Sequence, residues 1–219
     1  FGFFGKIIYH LMFSTVSKIS SLISCRKYIL KNKAGHIVAP SQITDQWLED
    51  YKEAEIQNIK LLYVGRIKKE KGIYSLLEII KDSNINFSLS IVGAEKNSTN
   101  LIVQDNVYTH EVENNQKNLI KYYDDHNIFV LPSYTEGHPM ALLEALARQR
   151  PVIIFKEIEH VIGDKKGIFV AERNSDSFFK IINHIKENYS DIQKEIKKNK
   201  LPTKDEFLKR FSELISKLN

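Results

Sequence analysis

The chain has 219 residues, 42% of them apolar and 27% charged, with a formal net charge of +5. These are the proportions of an ordinary soluble globular protein, with room for one sizeable core and part of a second unit. The single Cys25 excludes an internal disulfide, which fits a reducing compartment.

The charge is unevenly placed. No Asp or Glu precedes Asp45, whereas Lys6, Lys18, Arg26, Lys27, Lys31 and Lys33 all fall in that stretch. Residues 1–35 carry apolar side chains at helical spacing, among them Phe4, Ile7, Ile8, Leu11, Met12, Val16 and Ile19. A basic, acid-free segment of this kind suits an anionic surface such as a membrane leaflet, and equally a helix packed in a neighbouring domain. Lys6, His10 and Lys18 argue against a spanning helix, and the segment lacks the charged leader and cleavage site of a signal peptide. Residues 36–41 read as a short buried strand, and 44–54 as a polar helix.

From residue 59 the pattern becomes regular. Apolar runs predict strands at 59–65, 87–93, 107–110, 127–131, 152–155 and 167–170. Helical spacing falls between them at 70–81, 118–124 and 139–148, and again after the last strand. Unbroken apolar strands alternating with helices indicate an α/β fold, a doubly wound parallel sheet of Rossmann-like type over residues 59–190. The lysine-rich run at 194–200 reads as a solvated helix face or linker. Phe207, Phe211, Leu214, Ile215 and Leu218 form the stripe of a final amphipathic helix.

In such sheets ligands bind beyond the carboxyl ends of the strands. The loop after the first strand holds Gly65, Arg66 and Lys71. A glycine lets backbone approach a ligand, Arg66 offers a planar fork for phosphate oxygens, and Lys71 adds a point charge. Taken alone, this is also what a solvated basic turn looks like. After the strand at 127–131, Gly137-His138-Pro139-Met140 opens a helix whose first amides are free to meet an anion. Glu136 and Glu144 stand eight residues apart, one in that loop and one inside an apolar helix. Burying Glu144 there costs free energy unless ligand hydroxyls or a partner such as Arg148, one turn on, compensate it.

No His, Cys or carboxylate cluster has metal-ligand spacing, and the phosphate-loop, dinucleotide and serine-elbow signatures are missing. The basic residues lack the interleaved aromatics of a nucleic-acid-binding sheet.

Taken in order, Leu62-Tyr-Val-Gly-Arg-Ile67 with Glu70-Lys-Gly72, Ser90-Ile-Val-Gly93, Tyr122-Tyr-Asp124, Ile128-Phe-Val-Leu-Pro-Ser133, Glu136-Gly to Glu144-Ala-Leu-Ala147 and Pro151-Val-Ile153 make a recognisable series. With Gly167-Ile-Phe-Val170 it closely resembles the C-terminal, donor-binding half of family 4 retaining glycosyltransferases of the GT-B fold. The resemblance implies a nucleotide-sugar co-substrate, UDP- or GDP-linked, no metal or other cofactor, and transfer with retained configuration. It implies catalytic roles for Glu136, Arg66 and Lys71, the last two on the donor diphosphate. Donor contacts would come from Gly65, Gly137, His138 and Met140, from Glu144 on the ribose, and from Val112 near the base.

By the same resemblance, residues 1–58 are a remnant of an N-terminal acceptor-side domain, 59–190 the donor domain, and 191–219 C-terminal helices. A fragment of this kind is expected to be inactive alone. The implied partners are a sugar or lipid-linked acceptor (a polysaccharide, lipopolysaccharide or glycolipid precursor), the rest of the N-terminal domain and a membrane surface. The implied location is the cytoplasm or the inner face of the membrane. Two departures stand out: Arg148-Gln149-Arg150 where the family usually carries a glycine, and Tyr108-Thr-His-Glu-Val112 where a glycine is also common. The alternatives are a GT-B sugar-nucleotide epimerase, a sucrose- or glycogen-type synthase, and a non-catalytic nucleotide-sugar-binding module.

Overall fold

A computed structural model describes residues 2–81, 83, 85–95 and 105–218. The chain divides into two compact units, residues 43–201 and residues 1–42 with 202–219.

The larger unit is built on six strands: β3 (Ile59–Val64), β4 (Phe87–Ala94), β5 (Val107–Glu111), β6 (Ile128–Leu131), β7 (Val152–Phe155) and β8 (Ile168–Ala171). All pair in parallel, in the order β5-β4-β3-β6-β7-β8. The first strand of the unit therefore lies mid-sheet. The chain builds outward to β5, returns, and builds the other way from β6. The carboxyl ends of β3 and β6 flank this reversal, where a crevice opens in doubly wound folds.

The continuous apolar runs have the expected cause. Helices cover both faces of the sheet, so β6 and β7 are buried at every position. One layer holds α3 (Ile73–Ile80) and α6 (Ser175–Glu187), which touch each other and send Phe178 and Phe179 against Phe155 and Phe87. The other holds α2 (Asp45–Leu48), α4 (Gln116–Asp125) and α5 (Met140–Ala147), with Tyr123 edge-on to Trp47 and tilted against Phe129. The unit closes with α7 (Tyr189–Ile196), which buries Tyr189, Ile192 and Ile196 while Lys194, Lys197, Lys198 and Lys200 stay exposed.

Several helix bounds differ from expectation, each for a local reason. The helix expected over 44–54 stops at Leu48. Asp50 takes a left-handed φ of 49°, and the carbonyls of Trp47, Glu49 and Asp50 turn to the Arg148 guanidinium. The helix expected from residue 70 is a short 3-10 turn, Lys69–Lys71, followed by α3, because Gly72 between them has φ 70°. Pro139 caps α5 from outside, its ψ of 109° delaying the helix to Met140. Asn115 starts α4 two residues early by accepting hydrogen bonds from the amides of Lys117 and Asn118. Gln149, standing where a glycine was expected, takes up the left-handed turn itself at φ 57°.

The smaller unit holds α1 (Phe3–Ile19), a parallel pair of β1 (Ile23–Ser24) and β2 (His36–Ile37), and α8 (Lys204–Leu218). The strand expected over 36–41 is limited to its first two residues. Lys31 Nζ lies 4.7 Å from the Tyr9 ring centre, and Ser41 Oγ donates to the Pro202 carbonyl at 2.6 Å. The apolar faces of both helices are open: Phe4 and Ile19 are each 79% exposed, and Phe211 and Ile215 of the α8 stripe are also exposed. No helix among the described residues is long and apolar enough to cross a membrane.

Candidate active site

Two glycines let the ends of β4, β3 and β6 approach one another closely. Gly93, at the end of β4, has φ 124°, and a Cβ there would lie 2.3 Å from the Gly65 carbonyl oxygen. The two backbones therefore touch, joined by the Gly65 N–H to the Val92 carbonyl at 2.9 Å. Gly72, which ends the loop after β3, packs its bare Cα on the other side. A Cβ would stand 1.9 Å from the Pro132 carbonyl oxygen at the end of β6. The Tyr134 amide bridges the same loops by donating to the Glu70 carbonyl at 3.0 Å.

This close approach brings Lys71 to Glu136. Lys71 Nζ donates to Glu136 Oε1 at 2.7 Å, and Ser133 Oγ donates to the same oxygen at 2.7 Å. The two charged side chains are 23% and 10% exposed, so the pair is shielded yet reachable from solvent. Behind the Glu136 carboxylate, His160 Nε2 lies 2.8 Å from the Glu136 carbonyl oxygen. Beneath the Gly65–Arg66 turn, the Tyr63 hydroxyl donates to the Arg66 carbonyl at 2.8 Å. Burial holds the Tyr63 phenol well above its ordinary pKa. Glu136 adds to that rise and Arg66 opposes it, so both charges act on one hydroxyl. The Arg66 side chain is exposed.

The remaining expected residues lie in the loop before α5, in α5 itself and just beyond β5. Gly137 is exposed, His138 half-buried, and Met140 begins α5. Glu144 is one turn further on, 8% exposed, and accepts from the Tyr123 hydroxyl at 2.8 Å. Burial raises its carboxyl pKa, which the Tyr123 hydrogen bond partly counters. The same hydroxyl lies 3.3 Å from the Ala141 carbonyl, so one proton serves two acceptors. Arg148 is not the partner of Glu144. It reaches α4 instead and grips Asp124 with Nε and Nη2, both at 2.9 Å. Val112 follows β5 on the same edge of the sheet, two strands away from β3, and is exposed.

Four contributors escaped sequence reasoning: Ser133, Tyr123, His160 and Arg173. Ser133 and Tyr123 stood in pieces of the recognisable series, Ile128 to Ser133 and Tyr122 to Asp124, without a site role read for them. His160 and Arg173 act on residues 24 and 40 positions away and carry no local signature. Among the described residues, no three His, Cys, Asp or Glu side chains are placed to hold a metal ion.

The switch point of this doubly wound sheet thus presents a lysine–carboxylate pair, an exposed arginine, close-packed glycine backbone and a helix start. The model of the family described as glycosyl transferases group 1 matches residues 43–201, and the chain belongs to that family. A protein named as a putative teichuronic acid biosynthesis glycosyltransferase of Bacillus subtilis is 38% identical over 92 residues, covering 42% of this chain and 23% of that protein. An uncharacterised glycosyltransferase of Haemophilus influenzae is 28% identical over 181 residues, covering 76% of this chain and 50% of its own length. Of solved structures, Anabaena HepE in complex with UDP and glucose superposes with a TM-score of 0.71 at 13% identity, over 94% of this chain and 66% of that one. This last likeness establishes the fold, a Rossmann-like domain of the GT-B kind. The chain spans half or less of the length of these two relatives.

Proposed function

We propose that the chain supplies the donor-binding half of a glycosyltransferase that uses a UDP- or GDP-linked sugar and retains the anomeric configuration. The observation that carries this reading is the Lys71–Glu136–Ser133 cluster at the β3/β6 switch point. A cation and a carboxylate side by side suit a ligand that joins an anionic diphosphate to a polyhydroxylated ring.

In this reading Lys71 and Arg66 bind the diphosphate, assisted by the Gly65 backbone and the first amides of α5 around His138 and Met140. Glu136 accepts hydrogen bonds from the sugar hydroxyls, with the Gly137 backbone beside it. Glu144 holds the ribose diol, and Val112 lies towards the base. As the anomeric carbon–oxygen bond breaks, negative charge grows on the departing phosphate oxygen, and fixed cations stabilise that charge more than the ground state. The acceptor hydroxyl forms the new bond on the same face, and its proton passes to the departing diphosphate.

The acceptor is a polysaccharide, lipopolysaccharide or glycolipid precursor. The basic residues of 1–33 and the exposed apolar face of α1 suit the inner leaflet of a membrane carrying a lipid-linked form of it. Titration calorimetry of the chain with UDP, GDP and ADP, and then with their sugars, tests the reading. One nucleoside diphosphate should bind, and Arg66→Ala and Lys71→Ala should each weaken it about tenfold while the chain stays folded. Unaltered affinity in both variants would remove the assigned site.

A further inference from the structure

We propose that Arg173 is the positioning residue for Glu136 and that it acts through Ser133. This rests on the reading of Glu136 as the holder of the donor sugar. Arg173 lies between β8 and α6, 37 residues beyond the carboxylate it serves, at the same edge of the sheet.

Its guanidinium is fixed from every side. Nε and Nη2 meet the two oxygens of Glu157 at 2.7 and 3.1 Å. Nη2 also points to the Ser133 carbonyl and Nη1 to Ser75 Oγ, each at 3.4 Å. The guanidinium carbon lies 4.0 Å from the Tyr134 ring centre and 4.3 Å from that of Phe155. One planar group thus joins the ends of β6, β7 and β8 to the first turn of α3. Only arginine combines a two-pronged grip on a carboxylate with stacking on aromatic rings; lysine keeps the charge and loses both.

The consequence falls on the residues that lead to Glu136. Ser133 is fully buried, its carbonyl faces Arg173, and Tyr134 is held by its ring on Arg173 and by its amide on Glu70. With the backbone set on both sides, the Ser133 hydroxyl has one productive direction, towards Glu136 Oε1. That hydrogen bond, with the one from Lys71, aims the carboxylate. Arg173 never needs to touch the ligand.

The test is calorimetry of the chain with a nucleoside diphosphate and with its sugar, using UDP with UDP-glucose and GDP with GDP-mannose. The ratio of the two dissociation constants isolates what the sugar adds. Arg173→Lys should leave nucleoside diphosphate affinity within about twofold and reduce the sugar's contribution about tenfold, as expected when one charge-assisted hydrogen bond is misaligned. Ser133→Ala should likewise reduce the sugar's contribution about tenfold, and the double variant should be no worse than either single, because both act along one chain of contacts. Tyr134→Ala, at a surface position, removes one stacking partner and should shift the ratio the same way by a smaller factor, which keeps the test open if Arg173→Lys folds poorly. A wild-type ratio in both Arg173→Lys and Tyr134→Ala overturns the proposal. So do additive losses in the double variant, or equal loss of nucleotide and sugar affinity in folded Arg173→Lys, which marks general support of the fold. A wild-type chain that binds nucleotide with no gain from the sugar instead refutes the role given to Glu136, and this proposal falls with it.

Discussion

Glu136→Gln separates the two jobs assigned to the Lys71–Glu136 pair, because it should strengthen one kind of binding and weaken another. Lys71 Nζ sits 2.7 Å from Glu136 Oε1. A diphosphate oxygen taking up Lys71 at an ordinary charge-assisted length of about 2.8 Å can stand no further than roughly 5.5 Å from the Glu136 oxygen. Two negative charges at that separation repel by about 0.8 kcal/mol in water and about 3 kcal/mol at an effective dielectric constant of 20. Removing the carboxylate charge should therefore tighten nucleoside diphosphate binding between about fourfold and about 150-fold. Partial exposure of both side chains and screening by salt favour the lower end, about tenfold.

The nucleotide-sugar should respond differently. Its hydroxyls lose a charged acceptor, a loss of about 1.5–3 kcal/mol that offsets or exceeds the relief of repulsion. The variant should thus bind the diphosphate product better and gain nothing from the sugar. Calorimetry at two salt concentrations reads both effects, and the tightening should shrink at the higher salt. If Glu136→Gln binds the nucleoside diphosphate no more tightly than wild type, the phosphate is not seated beside Lys71, and the electrostatic account of the site is wrong.

Three further substitutions probe what holds the site. The Glu144 carboxyl is raised by burial, so the folded chain keeps its proton at pH values where the unfolded chain has lost it; stability then falls as pH rises from about 4.5 through the folded value. Glu144→Gln should raise the unfolding temperature on the order of 2–4 °C at pH 8, an advantage that disappears towards pH 4; an equal shift at both pH values would contradict the cause assigned. Asp124→Asn leaves the buried Arg148 and Arg150 without their shared carboxylate and should cost about 3–5 kcal/mol, seen as a lower midpoint in urea; a wild-type midpoint would show that the main-chain carbonyls around them suffice. Gly72→Ala combines a left-handed φ of 70° with a Cβ 1.9 Å from the Pro132 carbonyl oxygen. It should cost more than about 3 kcal/mol by thermal unfolding, and a loss below about 1 kcal/mol would mean that the two loops part easily.

The fold was legible because a parallel sheet covered on both faces demands unbroken apolar runs, and 128–131 and 152–155 consist of little else. The loops proposed to carry the site could be placed too, since strand ends are marked by Gly65 and Pro132. Pairing was not. Lys71 and Glu136 are 65 residues apart in the chain, and they meet because β3 neighbours β6, a fact of strand order that no local pattern encodes. Local spacing even misdirects at Glu144 and Arg148, which stand one helical turn apart as an ion pair would. Arg148 closes α5 with φ −90° and ψ 15°, so its side chain leaves the helix face and finds Asp124, while Glu144 turns inward to Tyr123. The buried carboxylate is thus held by a neutral hydroxyl rather than a cation. A cation there would satisfy Glu144 fully and compete with any ligand diol; a single phenol proton shared with the Ala141 carbonyl leaves the carboxylate short of donors, which is the condition a hydroxyl-bearing ligand requires.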